Sequence, residues 1–475
     1  MAKEMNSGKT DIMANIFRLG NLKKTLSYLK RNGIKSAYYA ARERIETEKG
    51  EHYVYEQPQE KELQRQREAA GALHTRFSVI VPAYETKEEY LRAILAMLDS
   101  VLQQTYGNFE LILADASKSD QVMQIVGEYQ DKRIQYRRLK QNNGISANTN
   151  QALMYATGDY AALLDHDDAL TPDALYEMAA EIERQEKDGI ELQMLYSDED
   201  KCDSSGTQFF EVNKKKEFNL DLILSNNYIC HFLVMKRQLM QELGFRSVCD
   251  GAQDYDLVLR AVSGMMGKDK RRNTIQELPI AHVPGVLYHW RCHQASTAEN
   301  PDSKQYAYDA GKRALQDFLR SREWKGTVQS LKHLGFYRIE FQPDLMTNRP
   351  DVAVIGGKLV NAKNIITGGI YDDDGVCPYL GLHREYSGPM HRAVLRQEAY
   401  AVDVRCMLLS PRAEKIMEEL LGLPYLREIQ SGRFKWQDSL NQETDYVELS
   451  LKFCEKIRRQ GMRILWDPQM TEKIK

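Results

Sequence analysis

The sequence predicts an α/β fold built on a mostly parallel, Rossmann-like sheet, and three observations carry that expectation. From Phe77 to Leu164, short β-branched or apolar runs alternate with stretches whose apolar residues recur at helical spacing. Three of the runs give out at Pro82, Asp115 and Asp165, and right-handed crossovers between parallel strands would bring those ends to one sheet edge. The composition is that of a globular chain, with 42% hydrophobic and 28% charged residues in 475.

That length predicts two or three domains of roughly 150 residues each. A net charge of −3 argues against a nucleic-acid-binding surface. No apolar run approaches the roughly 20 residues of a membrane span and no secretory pattern opens the chain, so the expected location is the cytoplasm. The seven cysteines stand singly without a C-x-x-C pair, which predicts neither a disulfide framework nor a zinc site.

Residues 1–45 hold ten Lys/Arg against three Asp/Glu. Their apolar residues, among them Leu26, Leu29, Ile34, Tyr38 and Ile45, fall at helical spacing with a break at Asn32-Gly33. Such a basic amphipathic pair suits either the inner face of an anionic membrane or packing on the body of the protein. Residues 46–72, rich in Glu, Gln and Arg, read as a linker or solvated helix, and 1–72 is taken as one arm.

The alternation begins with a strand over 77–81. Thr86-Lys87-Glu88-Glu89 is a capping box for a helix bearing Leu91, Ile94, Leu95, Leu98 and Leu102 on one face. A second strand covers 109–114, a helix capped by Ser119 runs to about Tyr129, a third strand covers 134–137, and a helix covers 150–156. The fourth strand, 160–164, runs into Asp165-His166-Asp167-Asp168, and a helix follows with Thr171 as cap and Pro172 as first residue.

These acids behind an apolar strand repel one another unless a cation compensates them. Asp165 and Asp167 are one residue apart, so their oxygens can converge on one divalent ion, Mn²⁺ or Mg²⁺, that leaves positions for a diphosphate. No G-x-G-x-x-G follows the first strand and no G-x-x-x-x-G-K-[ST] occurs, so glycine loops are not available to hold phosphates.

Five segments in order, 78–84 (SVIVPAY), 100–106 (SVLQQTY), 111–117 (LILADAS), 143–147 (NGISA) and 164–168 (LDHDD), resemble the inverting GT-A glycosyltransferases of family 2. The resemblance covers about residues 76–300, and the catalytic domain is placed at 73–300. It implies that Pro82 and Tyr84 line the nucleoside pocket, that Asp115 reads the pyrimidine, and that Asp165 and Asp167 form a D-x-D binding metal and diphosphate. Glu85 and Ala114 depart from the family pattern, which commonly has Asn and Asp there.

An inverting transfer needs a carboxylate to take the acceptor hydroxyl's proton. The family's Glu-Asp motif matches Gln253-Asp254, which makes Asp254 the expected base, with Asp256 pairing with Arg260 at i, i+4 spacing. Downstream, a strand presents His289, Arg291 and His293 on one face, and the segment resembles the Tyr-His-Trp-Arg element of bacterial enzymes of rhamnose-containing cell-surface polysaccharides. His289 or His293 would be a third metal ligand or a structural hydrogen bonder, and Arg291 a phosphate contact. By family position Asp198 and Asp200 flank the donor sugar; the alternative is a pair of surface-loop acids.

Residues 301–350 read as a helix and a charged connection. The segments 402–409 and 446–452 then echo 231–236 and 254–260, so 351–475 resembles the acceptor half of a second, degenerate domain. Tyr446 stands there in place of Asp254, and Asp372-Asp373-Asp374-Gly375 reads as a hairpin turn. The expected function is metal-dependent transfer from a UDP- or dTDP-sugar to a glycan or lipid-linked glycan. The rivals are a catalytically silent nucleotide- or glycan-binding partner subunit and a sugar nucleotidyltransferase.

Overall fold

The computed structural model of the protein describes residues 19–47, 53–84, 88–267, 278–292, 305–421 and 445–474. Its main sheet has nine strands: β1 (Phe77–Ala83), β2 (Phe109–Asp115), β3 (Ile134–Arg138), β4 (Tyr160–Leu163), β5 (Ala169–Leu170), β6 (Met194–Cys202), β7 (Phe209–Asn213), β8 (Leu233–Lys236) and β9 (Ile280–Arg291). The order is β3-β2-β1-β4-β8-β6-β9-β5, with β7 on β6. Strands β1 to β4 are mutually parallel, β8 is antiparallel to both β4 and β6, and β9 is parallel to β6. Strands β1, β2 and β4 therefore end side by side, as the alternation predicts.

Residue alternation makes this a three-layer structure. In β1, Phe77, Val79 and Val81 face a core filled by Ile94, Met97 and Leu98 of the helix Glu88–Leu102. Ile80 faces the opposite core, with Leu257, Val258 and Ala261 of the helix Gln253–Met265. A strand whose every residue is covered reads as a continuous apolar run because both faces are buried.

Local boundaries differ from the sequence expectation where tertiary contacts intervene. The helix after the acid cluster begins at Ala174 rather than Pro172, because Ala169 and Leu170 first pair with His289 and Tyr288 as β5. Residues 53–72 are not a solvated linker. The helix Glu60–Ala69 buries Leu63 and Gln66, and Gln66 hydrogen-bonds Thr105 and Glu177. The stretch after the helix Gln305–Arg322 is a hairpin, β10 (Gly326–Ser330) with β11 (Tyr337–Phe341), closed on the core beneath the main sheet through Val328, Tyr337 and Ile339. The capping residues Thr86 and Lys87 lie outside the described residues.

The C-terminal half repeats one side of the main sheet. Its centre is β12 (Val352–Val360), flanked by β13 (Ile366–Gly368), with β14 (Ile370–Tyr371), β15 (Gln397–Glu398), β16 (Ala401–Val402), β17 (Met407–Leu409) and β18 (Arg463–Lys473) following. Strand β12 has β13 and β17 antiparallel and β18 parallel, just as β6 has β7 and β8 antiparallel and β9 parallel. The helices Pro411–Leu421 and Tyr446–Arg459 stand where Arg237–Leu243 and Gln253–Met265 stand in the first copy. The sheet ends there; no counterpart of β1 to β4 accompanies it among the described residues. Asp372 to Gly375 do form a tight turn, closed by Asp372 N–H to the Val376 carbonyl, but Ile370 and Tyr371 pair with β16 rather than across it.

The arm, Leu19–Thr47, bends at Gly33, which takes φ 76°, the left-handed region open to glycine. Its inner side rests on the C-terminal half: Tyr39 stacks on His383 at 4.6 Å, and Glu43 accepts the Ser387 and Gly388 N–H groups at 2.9 and 2.6 Å. All seven cysteines are buried and unbonded to one another.

Candidate active site at the sheet edge

The site grows from strand register. Because β4 lies parallel to β1, with Ile80 opposite Leu163, the chain leaves the sheet at Leu164 and Asp165 beside Pro82 and Tyr84, both half-buried. Ligand atoms of Asp165, Asp167 and Asp168 lie within 4.8 Å of one another. Asp165 is open to solvent and Asp168 is fully buried. Desolvation by the surrounding protein atoms first and the Asp167 charge second push both Asp165 and Asp168 upward, Asp165 still keeping an edge in solvent, and the charge of Asp254 adds to the effect on Asp165. Asp254 is thus in electrostatic reach of the cluster, from the first turn of its helix. Three carboxylates at such spacing fit a hard divalent cation, and the buried Nε2 of His166 between them has no protein partner.

Asp168 holds the loop. Its Oδ2 accepts the Tyr288 hydroxyl at 2.5 Å and its Oδ1 the Arg291 N–H at 2.8 Å. The Arg291 guanidinium donates to the Asp167 carbonyl at 2.7 Å and the Ser204 carbonyl at 3.3 Å, with a 4% exposed side chain. It braces the backbone of the acid loop from behind. Gly206, at φ 73°, makes room for it: a Cβ there would fall 2.6 Å from the guanidinium.

His289 is turned the other way. Its Nδ1 lies 2.5 Å from Asp200 Oδ1, and its ring packs against Tyr55 and Phe209 at 4.5 and 4.4 Å. Adjacent strand residues face opposite sides, so Tyr288 reaches the acid cluster and His289 does not. His293 lies outside the described residues. Asp198 and Asp200 are buried in β6, not in a surface loop; Asp198 accepts His282 at 2.7 Å and Asp200 the Tyr53 hydroxyl at 2.7 Å. Asp115 is wholly buried and accepts the Ser117 N–H at 2.8 Å, the Tyr136 hydroxyl at 2.7 Å and Arg138 at 3.3 Å. Asp256 is clamped by Arg246 and Arg260, as the i, i+4 spacing predicts.

The chain is similar in sequence to known proteins. The model of the glycosyl transferase family 2 domain matches residues 78–244. WcaA of Escherichia coli K12, assigned as a colanic acid biosynthesis glycosyl transferase, is 30% identical over 210 residues, 43% of this chain and 72% of WcaA. The chain belongs to glycosyltransferase family 2. RfbC, an O-antigen biosynthesis protein of Myxococcus xanthus, is 31% identical over 297 residues, 61% of this chain and 21% of RfbC. The chain spans only 21% to 34% of the length of three curated relatives that match it over more than half of its own. Among solved structures, Staphylococcus aureus TarS in complex with UDP-GlcNAc aligns with 19% identity and TM-score 0.38, over 52% of this chain and 72% of that one.

Two residues at this acid edge escape a reading of the sequence. His231 precedes β8, and since Ala162 pairs antiparallel with Val234, His231 is carried alongside Asp165. Its Nδ1 lies 2.9 Å from Glu199, its ring stacks on Tyr288 at 5.7 Å and meets Trp290 at a tilt at 4.4 Å, and against its burial Glu199 above all, then Asp168 and Asp165, hold it up at about 9. His231 thus sets a positive charge beside the cluster. Asn227 donates its Nδ2 to Asp254 Oδ2 at 3.0 Å, while its buried Oδ1 has no protein partner. The signal for His231 was the antiparallel register, which a single sequence does not display.

Proposed function

We propose that the protein transfers a sugar, with inversion, from a UDP- or dTDP-sugar to a hydroxyl of a glycan or lipid-linked glycan. The observation that carries this reading is the convergence of Asp165, Asp167 and Asp168 at the end of β4 within electrostatic reach of Asp254. Asp165 and Asp167 would hold a Mn²⁺ or Mg²⁺ ion, which when bound supplies positive charge to the departing diphosphate. Asp168, Tyr288 and Arg291 fix the loop so that the two outer carboxylates keep one spacing. Pro82 and Tyr84 border the nucleoside, and Asp115 sits at the neighbouring strand end. Asp254 accepts the acceptor's proton, oriented by Asn227, and the positive His231 offsets the acids while the site is empty of donor. Residues 73–300 form the catalytic unit, the 301–350 segment closes its core, and 351–475 is non-catalytic, with Tyr446 heading the helix that Asp254 serves in the first copy.

The arm supports peripheral membrane contact. Its outward side bares Leu26, Ile34, Tyr38 and Ile45, at 55%, 79%, 59% and 41% exposure, and residues 1–45 hold ten Lys/Arg against three Asp/Glu. No helix among the described residues is long and apolar enough to cross a membrane. The test of the whole reading is a panel of nucleotide-sugars in thermal-shift and product-release assays with Mn²⁺, because a ligand bound only by the native state raises its stability. If no UDP- or dTDP-sugar stabilises the protein and none is turned over, the silent-subunit reading replaces this one.

A further inference from the structure

A cavity of about 250 Å³ lies between the arm, the turn of the β10–β11 hairpin and the C-terminal half, away from the acid edge. Its charged lining is Glu43 from the arm, Lys332 and His333 from the turn, and Lys358, Arg384 and Glu385 from the C-terminal half. The acids are already satisfied: Glu43 takes two backbone N–H groups and Glu385 takes Lys35 at 3.2 Å. The cations are not. Lys358 is 3% exposed, and its ammonium makes one hydrogen bond, 3.3 Å to the Arg384 carbonyl. Among the described residues none of Lys358, Arg384 and Lys332 has a carboxylate at ion-pair distance; Glu385 and Glu43 act on Lys358, and Glu385 on Lys332 and Arg384, only at longer range. Asp467, which also faces Lys358, is committed to Arg338 and Arg396 at 2.8 to 2.9 Å.

A buried ammonium with a single neutral acceptor is unfavourable unless an anion joins it. Burial, then the adjacent Arg384, accordingly push Lys358 down to about 8. The rest of the wall suits a sugar ring. Tyr28 and Tyr39 line it, Ser36 and Ser387 add hydroxyls, and His333 is held by Ser387 at 2.8 Å. Rings with a polar tip offer an apolar face and a hydrogen bond together, which matches the mixed surface of a pyranose. The volume approaches the lower end of small-ligand pockets, about 300 Å³.

We propose that this cavity binds an acidic sugar unit, a pyranose bearing a carboxylate or a phosphate, with Lys358 and Arg384 on the anionic group and the arm tyrosines on the ring. The sugar part of this assignment rests on reading the chain as a glycosyltransferase; the anionic part rests on the unpaired cations. A site of this kind would hold a charged unit of the growing glycan while another unit is extended at the acid edge.

The test is titration of the full chain by calorimetry and by emission of Trp466, whose ring lies 5.8 Å from the Lys358 ammonium. The ligands are a glucuronate-containing disaccharide, glucose 6-phosphate, a neutral glucose disaccharide and inorganic phosphate. One or both acidic sugars should saturate at least about tenfold more tightly than the neutral sugar and phosphate alone. Which of the two binds better tells carboxylate from phosphate. Lys358→Met and Arg384→Gln should each weaken that binding about tenfold or more and leave UDP binding in Mn²⁺ unchanged. Failure of both acidic sugars to saturate at millimolar concentration, equal binding of phosphate alone, or unaltered affinity in both variants overturns the proposal. UDP binding measured in parallel separates this outcome from failure of the active-site reading.

Discussion

Arg349 and Asp221 meet in the dry seam between the two halves of the protein: the guanidinium, 0% exposed, lies 3.3 and 3.2 Å from the two carboxylate oxygens. Its other side holds Asp351 at 2.7 Å, just before β12. One arginine thus ties the catalytic core to the repeated half.

Removing that arginine should strand buried Asp221, a loss of about 3–5 kcal/mol for a broken buried pair. Arg349→Met is expected to lower the urea midpoint of the whole chain in one transition. Two separated transitions, with the catalytic half unshifted, would show that the seam does not couple the halves.

Asp167→Asn is expected to abolish Mn²⁺-dependent nucleotide-sugar binding while circular dichroism stays native. Chelator should reproduce the effect in the parent protein. Binding that persists in both experiments would remove the metal from the reading.

Asp254→Asn should keep donor affinity and cut transfer by roughly 10²-fold or more, the range of general-base assistance. Asn227→Ala, which only frees Asp254 to turn, should cost less in turnover and leave donor binding alone. Transfer near the parent rate in Asp254→Asn would reassign the base.

Acid should weaken the protein in two windows. Burial first, then neighbouring positive charges, hold His333 at about 3 and His391 at about 4, below their ordinary 6.5, and the rings stack at 3.7 Å. The unfolded chain therefore binds more protons below about pH 6.5, and stability falls as pH drops from there toward 4, by up to about 1.4 kcal/mol per unit for each group. Glu199 is held at about 2 despite its burial, first by Lys215 and then by His231, so its contribution is whole above 4.5 and is lost as pH falls through about 2. Urea midpoints across pH should show a slope that His391→Phe flattens in the upper window. A pH-independent midpoint between about 6.5 and 4 would contradict the burial of these rings.

Replacing Leu26, Ile34, Tyr38 and Ile45 with Ser should stop co-sedimentation with anionic liposomes at low salt and leave transfer to a soluble acceptor intact. These side chains point away from the body, whereas deleting the arm would also remove Tyr39 and Glu43 from their contacts. Each Lys or Arg near anionic lipid adds about 1 kcal/mol, so binding should fade as salt rises. If the parent protein ignores such liposomes, the arm is only a packing element.

The parallel edge and its acids were legible because β-branched runs, helical spacing and crowded carboxylates are local properties of the chain. The repeat was legible for a similar reason, since β8 with its helix and β17 with its helix keep one pattern of apolar residues. Side-chain direction was less so. His289, Arg291 and His293 share a face by simple alternation, yet the pairing of β9 with β5 and β6 gives His289 to Asp200 and turns Arg291 onto the carbonyls of Asp167 and Ser204. His231 gained its place from register with β4, a long-range fact, and Tyr53 and Tyr55 gained theirs by laying a polar-looking segment over β9.

The seven buried thiols have a use of their own. Burial pushes Cys202, Cys406 and Cys454 up to about 12 and Cys249 to about 11, so the native chain should be almost inert to alkylating reagents. Cys202, Cys230, Cys249 and Cys292 stand in the catalytic half and Cys377, Cys406 and Cys454 in the other. Every opening of either half then leaves a permanent mass tag, and pulse labelling followed by peptide mass spectrometry becomes a clock that times how the halves come apart.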